Sequence, residues 1–172
     1  MKSWSGIRKI LEQDRLAPSL HGRVRYFVTR YREAHDDEGR LAILVDGKEL
    51  FRAHTFVLTS IDRGDWRAEW AKEPDLNYFE FWEKTFVREL YEGKGGPTRF
   101  FLAFEEYDTQ DIEKSLTSEN PLVRALAVVD RRVGKRRLKR FMEQGFSHEP
   151  EWLQAIYRLR LEAEGIFSEK SV

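Results

Sequence analysis

Residues 40–58 read RLAILVDGKELFRAHTFVL: two β-prone runs, 40–45 and 48–58, flank Asp46-Gly47. An Asp-Gly pair in this setting favours a tight hairpin, because both central residues of a type I′ turn need positive φ. A two-residue loop pairs Val45 with Lys48. Leu41, Ile43 and Val45 then share a face with Leu50, and Ala42 and Leu44 share the other with Phe51 and Ala53. Neither face is clearly polar, which predicts a sheet covered on one side and partly shielded on the other. Just upstream, residues 23–31 (RVRYFVTRY) alternate, with Val24, Tyr26 and Val28 on one face. The polar stretch Glu33–Gly39 reads as a connection. These pieces predict three antiparallel strands.

Working outward, residues 4–14 place Trp4, Ile7, Ile10 and Leu11 at helical spacing, with Ser3 or Ser5 as the cap. From residue 65 the chain turns helical. Trp66 and Trp70 follow an Asp65 cap. Residues 76–92 carry a stripe of Phe79, Trp82, Phe86 and Leu90, with Glu80 and Lys84 paired one turn apart. Gly93, Gly95, Gly96 and Pro97 form a turn. Residues 98–107 fit a helix or a short buried strand. Asp108 caps a helix over 109–116, and Asn120-Pro121 opens another. Residues 135–144 and 149–164 complete the run, with Gly145 and Gly165 just past two helix ends. The expected fold class is α+β: a small three-stranded antiparallel sheet with an N-terminal helix, then a mostly α-helical C-terminal part. It reads as a single domain over 1–172, with sublobes 1–64 and 65–172.

The composition fits a folded chain: 172 residues with twelve Phe, six Tyr and five Trp, beside 35% charged residues. There is no cysteine, which removes disulfides and thiol chemistry and makes a reducing compartment the expectation. The N-terminus lacks the apolar core of a signal peptide, and no stretch approaches the roughly 18 apolar residues of a spanning helix. A cytoplasmic protein with no membrane contact is expected. The formal net charge is zero but unevenly spread. Residues 61–119 carry 8 basic and 15 acidic side chains, whereas residues 120–145 carry 8 and 2.

That basic excess centres on Asp130–Arg140, DRRVGKRRLKR, with seven cations in eleven positions. The candidate anion-binding residues are Arg124, Arg131, Arg132, Lys135, Arg136, Arg137, Lys139 and Arg140. Arg124 and Arg131 share a face if one helix spans 121–133, and Arg131 and Arg132 then complement its C-terminal dipole. A second helix starting after Gly134 would put Lys135, Arg136 and Arg137 in its first turn, the wrong sign for the dipole. An anion there offsets the cost. Candidates within the chain are Glu105, Glu106, Asp111 and Glu113; outside it, an acidic protein surface or a nucleic-acid phosphate serves. One continuous helix over 121–143 would remove the free N-terminus, at about 1 kcal/mol for an interior glycine.

Other sites have less behind them. The four histidines lack helical ligand spacing, and His35-Asp36-Asp37-Glu38 reads as a solvated loop. Carboxylate pairs such as Glu80 with Glu83 and Glu105 with Glu106 meet the minimum for a small hydrolase, yet sit where an ordinary amphipathic helix places them. No residue is assigned a catalytic, cofactor-binding or metal-ligating role. Two passages, SENPLVRALAVVDRRVGKRRL (Ser118–Leu138) and APSLHGRVRYFVTRYR (Ala17–Arg32), resemble a family of uncharacterised bacterial proteins of similar length. The resemblance implies a small single cytosolic domain and carries no activity or site residues across. The leading expectation is a non-catalytic binding or accessory protein whose basic helical segment contacts an acidic protein surface. Non-specific binding to a nucleic-acid backbone is the alternative, and a carboxylate hydrolase the second.

Overall fold

The computed structural model of the chain describes residues 2–30, 39–54, 66–93 and 96–166, except the side chains of 30 and 52–54. Of the connection expected at Glu33–Gly39, residues 33–38 lie outside the described residues and Gly39 already belongs to a strand; the extension of the hairpin beyond residue 54, the Asp65 cap, Gly95 and the His35–Glu38 cluster also lie outside them.

Helix α1 (Trp4–Lys9) is capped by Ser3, whose side chain accepts from Gly6 N, and runs on through a wider π-type turn over Ile10–Asp14. Strands β1 (Val24–Arg30), β2 (Gly39–Val45) and β3 (Lys48–His54) form an antiparallel sheet in that order. The turn between β2 and β3 has positive φ at Asp46 (49°) and Gly47 (79°), and Val45 faces Lys48 as the loop length requires.

The expected face sharing fails one step later. Leu44 pairs with Glu49 but Ile43 pairs with Phe51, leaving Leu50 as the extra residue of a β-bulge. Beyond it the register shifts by one residue, so Phe51 joins Leu41 and Ile43 on the buried face with Val24 and Tyr26. The bulge turns a large aromatic inward, where it meets Trp152 at 4.8 Å between ring centroids. On the opposite face Ala42 is sealed and Leu44 half-buried, while Phe27 stays exposed under the Arg40 guanidinium.

The remaining described residues are mostly helical: α2 (Trp66–Ala71), α3 (Tyr78–Tyr91), α4 (Pro97–Thr109), α5 (Ile112–Leu116), α6 (Pro121–Val128), α7 (Lys135–Gln144) and α8 (Glu151–Ala163). The segment at 98–107 is a helix rather than a strand. Every residue of α6 is buried, and α3, α4, α5 and α8 pack around it. The sheet lies against α4 and α8, with Tyr26 meeting Phe100 and Phe51 meeting Trp152. One continuous cluster of buried side chains runs from Ile7 through the sheet to Leu161.

Three other local expectations need correction. In α3, Asn77 and Glu80 form a capping box, so Glu80 bonds the Asn77 amide and Lys84 pairs instead with Glu73. The buried stripe of α3 is Phe81, Thr85, Glu89 and Leu90. Phe79 is 78% exposed, and Trp82 and Phe86 are half-buried. The cap of α5 is Asp111, not Asp108, which pairs with Lys2 and Arg15. No described helix is long and apolar enough to cross a membrane.

Candidate functional site

Helix α6 ends at Val128, and a short turn leads to Gly134, the N-cap of α7. The region 121–143 is therefore two helices, and Gly134 begins the second rather than ending the first.

The turn between them is fastened from below. Arg131 N donates to Arg15 O (2.7 Å), and Ala17 N to Val129 O (2.9 Å). Asp130 is fully buried, and its carboxylate accepts from the Tyr107 hydroxyl, from Arg132 N (2.7 Å) and from the Arg132 guanidinium (2.7–3.1 Å). Burial, then the adjacent Asp130 charge, pushes the Tyr107 hydroxyl well above its usual range; the bonds to Asp130 raise Arg132. Arg160, also buried, donates to Val133 O (2.9 Å), Ser19 and Glu164. Burial lowers its affinity for its proton against the pull of Glu164 and Asp130. The turn thus holds every buried charge against a partner, as a low-dielectric interior requires.

Helix α7, KRRLKRFMEQ, stands on this mount. Its N-cap Gly134 offers no side-chain oxygen, and no acid lies in its first turn. Leu138 is its buried anchor, and Phe141 packs edge-on to Tyr157 at 5.5 Å. The rest faces solvent. Lys135, Arg136, Lys139 and Arg140 are exposed, recur one turn apart, and form no ion pair with a described residue. They line two shallow grooves: one of about 390 Å³ with Glu113, Gly134 and Arg137, and one of about 410 Å³ with Glu143.

The eight candidate cations fall into three groups. Lys135, Arg136, Lys139 and Arg140 form the open face, and Arg131 is exposed at its start. Arg132 and Arg137 are tied down, Arg132 to Asp130 and Arg137 to Glu113 and the Arg132 carbonyl. Arg124 lies elsewhere. Because α6 ends before Arg131, the two do not share a helix face; Arg124 is 7% exposed and grips Glu149 at 2.6 and 2.9 Å, with Tyr91 at 3.0 Å. Burial works against its charge, but Glu149 and Tyr91 outweigh it and hold the guanidinium above its usual range.

Of the four acidic residues named as internal partners, only Glu113 meets the run. Glu106 accepts from Ser118, and Asp111 caps α5. Glu80 and Glu83, the other carboxylate pair, are engaged with the Asn77 amide and Arg99. Among the described residues no group of three metal-ligating side chains comes together. Sequence reasoning passed over Asp130, Tyr107, Arg15 and Arg160, the residues that mount α7. A usable signal was Arg160 itself, a charge between Leu159 and Leu161 in a helix of apolar spacing.

No curated protein and no solved structure matches the chain. Residues 3–161 do match a family, and with all but the two ends of its sequence covered the chain belongs to the SF0329 protein family.

Proposed function

We propose that this chain is a non-catalytic binding protein of the bacterial cytoplasm that presents α7 to an acidic protein surface. The observation that supports this is the open face itself: four exposed cations on one helix that form no ion pair with a described residue. Holding like charges together in a helix's first turn and a half is unfavourable for the isolated chain, and an external anion relieves it. The face is short, because Glu143 and Gln144 follow Arg140, and the whole chain is neutral. A compact acidic patch suits such a face better than a long polyphosphate, whose binders are usually basic throughout. A cysteine-free sequence fits the reducing compartment.

The test uses fluorescence anisotropy with a labelled Glu-rich peptide and a labelled random-sequence DNA duplex, each titrated at low and raised ionic strength. The peptide should bind at low salt. Lys139→Glu with Arg140→Glu should weaken it at least about tenfold, near 1.4 kcal/mol. Preference for the duplex, with a logarithmic salt slope of about −0.9 per phosphate contacted, would instead assign the face to nucleic acid. Binding of neither probe would sink both readings.

A further inference from the structure

We infer that Glu113 is an internal competitor for the α7 face, latching Arg137 until an outside carboxylate takes its place. This rests on the reading of α7 as a docking face for acidic protein. Glu113 projects from α5, whose Ser115 and Leu116 are buried against the core, so it approaches α7 from a separate, fixed element. Both Nε and Nη2 of Arg137 meet the same oxygen, Oε1, and Nη1 donates to the Arg132 carbonyl at 3.2 Å. The carboxylate therefore sits in the groove lined by Arg136, Arg137, Arg140 and Gly134. An incoming acidic side chain must either lie beside Glu113 and be repelled, or displace it. Displacement is easy, because the pair is open to water, with side-chain exposures of 57% for Glu113 and 36% for Arg137. Exposed ion pairs of this kind contribute little net free energy. The arrangement contrasts with Arg132, whose partner Asp130 is buried and cannot be exchanged. Glu113 thus holds Arg137 in a docking-ready pose while discouraging weak or stray anions.

The experiment compares the full chain with Glu113→Gln, Arg137→Gln and the Lys139→Glu/Arg140→Glu variant, using the labelled Glu-rich peptide. Thermal unfolding checks that each variant folds. Glu113→Gln should tighten peptide binding about three- to fivefold with little change in melting temperature, and Arg137→Gln should weaken it. Unchanged or weaker binding by Glu113→Gln, while the double charge reversal still abolishes binding, would overturn the latch and leave the docking face standing. If neither wild type nor Glu113→Gln binds, the docking face fails and the latch with it.

Discussion

Helices α6 and α7 are neighbours in the chain, each carries arginine, and they use it in opposite ways. In α6 all eight residues are buried, and Arg124 is a sealed cross-link to Glu149. In α7 Leu138 is the sole buried residue, and the cations are displayed. The difference teaches that charge in a sequence run carries no meaning until its partners are known. A buried arginine holds its helix through one specific carboxylate; an exposed one leaves its helix to be held by apolar anchors.

The largest effect should come from breaking the sealed side. Glu149→Ala strands the Arg124 guanidinium in the interior and should cost about 3–5 kcal/mol in urea unfolding. The double variant Arg124→Met/Glu149→Leu should recover most of that loss, because paired apolar replacements spare both charges their desolvation. If the single variant proves neutral, the contrast between the two helices collapses.

Alkaline pH tests the same interior. Burial holds the hydroxyls of Tyr26, Tyr107 and Tyr157 above their usual value, with Tyr107, Asp130 and Glu149 among the neighbouring groups that add to it. The unfolded chain releases these protons at about pH 10 and the folded chain only above it. Stability should be full below pH 10 and fall above it, by up to about 1.4 kcal/mol per pH unit per tyrosine. Denaturation midpoints on either side of pH 10 would check this, and a flat profile would refute the burial.

On the displayed side effects should shrink. Lys135→Ala or Lys139→Ala should change stability by no more than about 0.5 kcal/mol while reducing anion binding. Smallest of all, Gly134→Ser should stabilise by about 0.3 kcal/mol. A Cβ there meets no atom within 4 Å, φ is an ordinary −80°, and a serine oxygen would cap α7. A destabilising result would show that the turn tolerates less than its open surroundings imply.

Much of the fold was legible where the determinant is local. Asp46-Gly47 fixed its turn, Asn120-Pro121 opened α6, and Gly145 and Gly165 ended helices with φ of 73° and 67°. The bulge at Leu50 was not, because nothing in β3 alone makes Phe51 turn inward; Trp152, a hundred residues on, supplies the place it fills. In α3 the aromatic residues suggested the wrong stripe, since Thr85 and Glu89 are buried and Phe79 is not. The candidate site was half legible. The cationic run is plain in the sequence, but which members are free depends on Glu113, Asp130 and Glu149, and two of these lie more than twenty residues from the arginines they bind.

Leu138 has a consequence for how this chain can change over time. With one apolar side chain sunk in the interior and Phe141 resting at its margin, the outward positions of α7 can be rewritten without disturbing packing elsewhere. The mount built by Asp130, Arg15 and Arg160 would carry a different surface pattern equally well. Surface pattern and fold integrity thus rest on separate residues, and selection can act on one while leaving the other intact.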